Sequence, residues 1–142
     1  MAKKISESLR RKVTQRAKGH CEYCLASEEV TGQQFHVDHI VPRIKGGKTS
    51  LENLCLACPA CNGAKLDHQT GDDPESGKSV TLFDPRQYLW TDHFKWDAEG
   101  IHIVGLTEVG RVTVKILKMN RPLVVTARRI WILFHRHPPG SL

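Results

Sequence analysis

Two groups of side chains in this sequence have the types and spacing to do chemistry. Cys21-Glu22-Tyr23-Cys24 and Cys58-Pro59-Ala60-Cys61 form two C-x-x-C pairs, and Asp38-His39 lies between them. Two residues between thiolates let both sulfurs reach one ion at about 2.3 Å, so the four cysteines read as a tetrahedral Zn2+ site. The competing reading, two disulfides, needs an oxidising compartment. A redox C-x-x-C would come singly and near a βαβ pattern. Four thiolates on Zn2+ carry about −2, which lowers the formal net charge of +6 to about +4. Cys55 belongs to neither pair and is expected to pack as a small apolar residue.

Asp38 and His39 suit phosphodiester hydrolysis, which needs a positioned water, a base, and a cation to neutralise developing charge. Asp38 is a hard oxygen ligand fit for Mg2+ or Mn2+. His39 titrates near working pH and can accept a proton from water. Neighbours in a regular strand point to opposite faces. The two can therefore share a site only where the strand ends, and Pro42 is placed to end it.

From Phe35 the chain runs FHVDHIVPRIKGGKTSLENLCLACPACNGAK to Lys65. Asp38-His39 with Ile40-Val41-Pro42, the Gly46-Gly47 turn, Asn53-Leu54, and Cys61-Asn62 with Lys65 resemble the HNH nucleases of the ββα-metal class, over about residues 21–65. The final motif position, often His, is Asn62 here, an HNN variant. The resemblance implies that Asp38 and Asn62 bind the catalytic divalent ion, Mg2+ or Mn2+. It also implies that His39 is the general base and that Asn53 holds the loop orienting the imidazole. Cleavage would leave 5′-phosphate and 3′-hydroxyl ends. With one carboxylate and one neutral amide, such a site should bind metal weakly until DNA phosphate completes it.

Charge supports a polyanionic partner. Residues 1–20 hold Lys3, Lys4, Arg10, Arg11, Lys12, Arg16 and Lys18 against Glu7 alone, and the remainder is balanced. Such a basic arm suits DNA; a solvated face aiding solubility is the alternative. Arg10, Arg11, Arg16 and Lys18 are the arm's candidate phosphate contacts. Around the motif the candidates are Arg43, Lys45 and Lys65, each equally readable as plain surface. His36 lies on the Asp38 face of the strand, as a substrate contact or a buried, hydrogen-bonded histidine. No apolar run approaches the roughly 18 residues of a membrane span. Polar Ser6-Glu7-Ser8 follows the basic start in place of a signal peptide's apolar stretch, so a cytoplasmic protein is expected.

The elements that must position these groups follow from patterning. Ser6 caps a helix over residues 6–18, with Leu9, Val13 and Ala17 on one stripe and Gly19 ending it. A short strand covers Gln34 to Ile40, a turn Lys45–Lys48, and a helix runs from Pro59 through Lys65. Residues 71–77 read as a loop or linker. Phe94–Asp97 and Ile101–Val104 bracket a hairpin turn. Thr107 caps a helix over 108–119, with Val109, Val112, Ile116 and Met119 on one side. A last helix covers about 123–135. Trp90, Trp96 and Trp131 read as the core of this extension or as base-stacking residues. Arg111, Lys115, Lys118, Arg128 and Arg129 read as DNA contacts unless the extension only stabilises the motif. His68, His93, His102, His135 and His137 have no partner spacing that reads as a site.

The expected architecture is α+β: a ββα-metal core stapled by a four-cysteine zinc site over residues 1–70, then a hairpin and two helices over 71–142 packing on it. The expected function is metal-dependent hydrolysis of DNA, with no small-molecule cofactor and no membrane partner. A non-catalytic, zinc-containing nucleic-acid-binding module is the alternative. A structural or interaction domain is weaker still, since it leaves the basic arm unexplained.

Overall fold

The computed structural model describes residues 5–140, so Lys3 and Lys4 of the basic arm lie outside the described residues. Helix α1 (Glu7–Arg16) begins where Ser6 Oγ accepts from the Leu9 amide at 3.2 Å. Burial is confined to one stripe, with Val13 fully enclosed and Leu9 and Ala17 beside it. The chain leaves the helix through left-handed Lys18 and Gly19. The Cys21–Cys24 turn and the short helix α2 (Glu28–Thr31) follow.

Strands β1 (His36–His39) and β2 (Leu54–Ala57) pair antiparallel with Asp38 opposite Cys55, and helix α3 (Pro59–Lys65) closes a ββα unit. All four residues of β2, Leu-Cys-Leu-Ala, are buried. A strand buried on both faces shows no polar alternation, so patterning alone is silent about it. α3 has Pro59 at its start, where a missing N–H costs nothing, and Cys58 as its cap.

Residues 71–77 are not a linker. They belong to a hairpin of β3 (Thr70–Asp72) and β4 (Ser79–Thr81) packed on α5 (Glu108–Ile116). Asp73 is buried in its turn, accepting from the amides of Glu75 and Ser76 and, in a fork, from Arg111 Nε (2.9 Å) and Nη2 (2.8 Å). Polar composition marked the turn, yet its carboxylate is satisfied inside the protein. Arg111 is thereby tied up structurally and is not offered to DNA.

Helix α4 (Trp90–His93) leads into the hairpin of β5 (Phe94–Trp96) and β6 (Ile103–Gly105), with Phe94 opposite Gly105. Thr107 Oγ1 caps α5 through the Gly110 amide at 3.0 Å. A Cβ on Gly110 would lie 2.1 Å from the His93 carbonyl oxygen, so only glycine lets α5 approach the hairpin this closely. Helix α6 (Pro122–Leu133) completes the α+β chain. Trp90 and Trp96 pack at 5.8 Å, and Trp96 and Trp131 both meet the His137 ring edge-on, as core rather than as stacking surface.

Arg128 is also internal, at 1% exposure. Its guanidinium donates to the carbonyls of Ile101 and Met119 and to Asn120 Oδ1, and it lies 5.1 Å from the Trp96 ring centroid. Its long stem and fork serve the packing, so it is no DNA contact. Buried residues of the ββα unit, the hairpins and α5 form one core, from Val13 through Cys21, Leu56 and Phe83 to Met119. No helix among the described residues is long and apolar enough to cross a membrane.

His137 is buried and bonded through Nε2 to the Gly100 carbonyl at 2.8 Å. Burial, and then the nearby Arg128 charge, hold its pKa below the usual histidine value. The unfolded chain protonates near about pH 6.5, so this contribution to stability is complete above that pH and is lost as pH falls below it. Thermal melts of metal-loaded protein should therefore show a Tm that is flat above about pH 7 and falls as the pH drops below about 6.5. His137→Phe, which keeps a ring against Trp96, should flatten that slope. An equally steep slope in the variant would place the titration elsewhere.

Candidate metal and catalytic centre

The four paired cysteines converge. The Sγ atoms of Cys21, Cys24, Cys58 and Cys61 lie within 4.8 Å of one another and all four residues are buried. Cys24 Sγ and Cys58 Sγ are 3.7 Å apart, close to the ~3.8 Å edge that a tetrahedron with metal–sulfur bonds of about 2.3 Å requires. All five cysteines are free thiols, so the disulfide reading falls. Backbone amides of Cys24 and Cys61 point at the sulfurs three residues earlier, at 3.5 and 3.4 Å. Hydrogen bonds from Cys21, Cys24 and Cys61 favour the Cys58 thiolate, whereas burial pushes the Cys21 thiol up. A buried all-sulfur set of this size fits structural Zn2+.

The knuckles are braced by their own intervening residues. Glu22 donates its amide to the Leu56 carbonyl and accepts the Leu56 amide on Oε2, which hydrogen-bonds the first knuckle along β2. Arg86 pairs with the same carboxylate. Its guanidinium pKa, reduced mainly by burial, is about 10, so it stays charged. Cys58 is both a metal-site sulfur and the cap of α3, and Asn62 follows Cys61 directly.

Asp38, 9% exposed, sits on β1 beside this cluster. Its Oδ2 accepts from the Tyr23 hydroxyl at 3.2 Å, pairs with Lys65 Nζ at 3.1 Å and lies 3.9 Å from Cys55 Sγ. Among the described residues every side-chain partner of Asp38 is on Oδ2, leaving Oδ1 open. Burial, reinforced by Cys55 and Asp38, holds the Tyr23 phenol well above its usual pKa, so it remains a donor. Burial likewise keeps Cys55 a thiol. Cys55 is packed as expected, with the added role of donating to the Tyr23 oxygen at 3.5 Å.

His39 follows where β1 ends. Its Nε2 lies 2.9 Å from Thr49 Oγ1, and Nδ1 has no partner among the described residues. Burial first, then Arg43, lowers its pKa, which favours the neutral imidazole that a base must be. Asn53 clamps the intervening loop. Its Oδ1 accepts from the Val41 amide, and Nδ2 donates to the carbonyls of Val41 and Lys48, all at 2.9–3.0 Å. Gly47 is obligatory in that loop, since a Cβ there would fall 1.7 Å from the Val41 carbonyl oxygen. Asn62 lies one helical turn before Lys65, on the α3 face from which Lys65 reaches Asp38.

Several basic candidates move. Lys65 is 2% exposed, with Nζ donating to the carbonyls of His39 (3.2 Å) and Ile40 (3.4 Å) besides pairing with Asp38. It is an internal strut, not a phosphate contact. The Arg16 guanidinium is bound to the carbonyls of Leu51 and Leu54, which ties α1 to the segment carrying Asn53. His36 is exposed, which removes the buried-histidine reading. Arg43 and Lys45 are exposed on the loop after His39, Lys45 Nζ donating to the Asp67 carbonyl. Arg11 and Lys18 are exposed on α1 and just beyond it, and Arg10 is half-buried.

Tyr23 and Thr49 escaped the sequence reading. Tyr23 had a signal in its position between two metal-ligand cysteines; Thr49, an exposed turn residue, had none. Residues 21–68 match the family model described as HNH endonuclease. No curated protein and no solved structure matches the chain.

The cluster geometry generates a ligand test. Purified protein should carry about one zinc per chain. Cys58→Ser should lose both metal and cooperative unfolding, because the metal's binding energy is also folding energy. Cys55→Ser should keep its zinc by elemental analysis. The opposite pattern would overturn the ligand assignment.

Proposed function

We propose that the HNH endonuclease domain at residues 21–68 hydrolyses DNA phosphodiester bonds, with His39 as general base and Asp38 and Asn62 as ligands of a catalytic Mg2+ or Mn2+. The observation that carries this reading is the state of two adjacent side chains. Among the described residues the side-chain partners of Asp38 are on Oδ2 and that of His39 is on Nε2, so Oδ1 and Nδ1 are the atoms this reading assigns to chemistry.

A divalent cation held by Asp38 Oδ1 and the Asn62 amide oxygen would neutralise charge on the phosphate and the leaving oxygen. With the proton on Nε2, the Thr49 oxygen 2.9 Å away accepts it, and Nδ1 is the nitrogen that would take a proton from water. Asn53 and Gly47 hold the loop that carries Thr49 against the end of β1. Arg43, Lys45 and His36, exposed near the motif, supply phosphate and substrate contacts, with Arg10, Arg11 and Lys18 extending them along α1. Zinc at the four cysteines is structural, tying both strands to the helix bearing Asn62.

Nicking of supercoiled plasmid with Mg2+ or Mn2+ should fall at least ~100-fold in His39→Ala, the usual scale of a general base. DNA affinity should change little. Equal cleavage by both proteins would sink the mechanism, and DNA binding without any cleavage would leave a zinc-stapled nucleic-acid-binding module.

Arg10, Arg11 and Lys18 can be tested together by replacement with Gln, leaving the structural Arg16 intact. If each touches a phosphate, the slope of log K against log salt becomes shallower by about 0.9 per lost contact on duplex DNA. Unchanged affinity and slope would make α1 solvated surface.

A further inference from the structure

We infer that Tyr23 is a positioning residue for the catalytic carboxylate, transmitting the geometry of the cysteine cluster to the Asp38 metal site through its hydroxyl hydrogen bond. This rests on the metal role of Asp38 proposed above.

Tyr23 occupies the two-residue gap of the first knuckle, so its backbone is anchored on both sides by Cys21 and Cys24. Its carbonyl accepts from Trp90 Nε1 at 2.7 Å. Its ring is fully buried. The hydroxyl is the only part of the side chain with polar partners, and they are Asp38 Oδ2 and Cys55 Sγ.

A carboxylate on a strand has two oxygens and can rotate about its terminal bond. Lys65 alone, reaching Oδ2 from α3, leaves that rotation restrained from one side. Tyr23 approaches the same oxygen from the knuckle, so donors from two separate elements hold Oδ2, while Oδ1 has no side-chain partner among the described residues. The arrangement has a consequence for charge. Lys65 offsets the Asp38 charge through Oδ2 alone, and Tyr23 donates to that same oxygen. Partners of this kind behind a metal ligand typically contribute 10–100-fold in metal affinity or activity.

Tyr23→Phe removes the hydroxyl and keeps the ring. Zinc content and the far-UV spectrum should match wild type. The Mn2+ dissociation constant at the Asp38 site, read by electron paramagnetic resonance of free Mn2+, should rise about tenfold. Nicking should show a matching rise in the Mn2+ needed for half-maximal rate and recover at saturating Mn2+. A zinc-loaded, folded Tyr23→Phe with an unchanged Mn2+ curve would reduce Tyr23 to packing and overturn the inference. If Asp38→Asn binds Mn2+ as wild type does, the metal role of Asp38 falls, and this inference with it.

A second measurement needs no mutation at Tyr23. The chain has two tyrosines, Tyr23 and Tyr88, so 3-fluorotyrosine protein gives two 19F resonances, assigned with Tyr88→Phe. Saturating Mg2+ should shift the Tyr23 resonance and leave Tyr88 in place. A stationary Tyr23 signal would overturn the coupling.

Discussion

The convergence of four buried sulfurs is the constraint from which the rest of this structure is built. The ββα unit has two four-residue strands and a seven-residue helix, too little apolar surface to order a loop to catalytic tolerance unaided. The cysteine cluster replaces bulk with connectivity. Its four ligands come from the turn before β1 and the start of α3, and the residues between them do further work. Glu22 pairs with β2, Tyr23 reaches Asp38, and Cys58 begins the helix that carries Asn62. Local order at the site is thus set by covalent spacing from the sulfurs, not by depth of burial.

Around that anchor, Asp38 and His39 each have one side-chain atom engaged and one without a partner among the described residues, whereas Asn53 is fully engaged. Asp38 gives Oδ2 to Tyr23 and Lys65, His39 gives Nε2 to Thr49, and Asn53 spends its whole amide on the loop. Buried polar groups are expensive when unpartnered, so these bonds restrain the orientation of Asp38 and His39. Lys65 illustrates the balance. A buried ammonium beside a buried carboxylate is tolerable because two carbonyls share the load.

The sequence was most legible where local rules dominate. Ser6 and Thr107 capped the helices expected of them, the β5–β6 hairpin closed where Gly100 allowed it, and the cysteine pairs met. It was least legible where charged or polar residues turn inward. Lys65, Arg16, Arg111 and Arg128 are long cations whose composition says free surface charge, yet each ends on carbonyls or a carboxylate of the protein itself, Lys65 and Arg128 while buried. Their partners are distant in sequence, so nothing in local patterning could reveal them. β2 was hidden for the opposite reason: burial on both faces erases alternation. The turn at Asp73 looked solvated because its charged partner, Arg111 on α5, comes 38 residues later.

The bond from Trp90 Nε1 to the Tyr23 carbonyl joins the first knuckle to the segment between the two hairpins, and Arg86 joins Glu22 from just before it. These links bear on how the unit at residues 21–68 can be inherited. A motif of some 48 residues matched by one family model invites treatment as a cassette, to be recombined among hosts. In this chain the cassette's metal loop is braced by residues outside its borders. Exchange by recombination at the C-terminal border, near residue 68, would separate Tyr23 and Glu22 from Trp90 and Arg86. A hybrid carrying a foreign extension would have to supply its own donors at the places of Arg86 and Trp90 to brace the first knuckle.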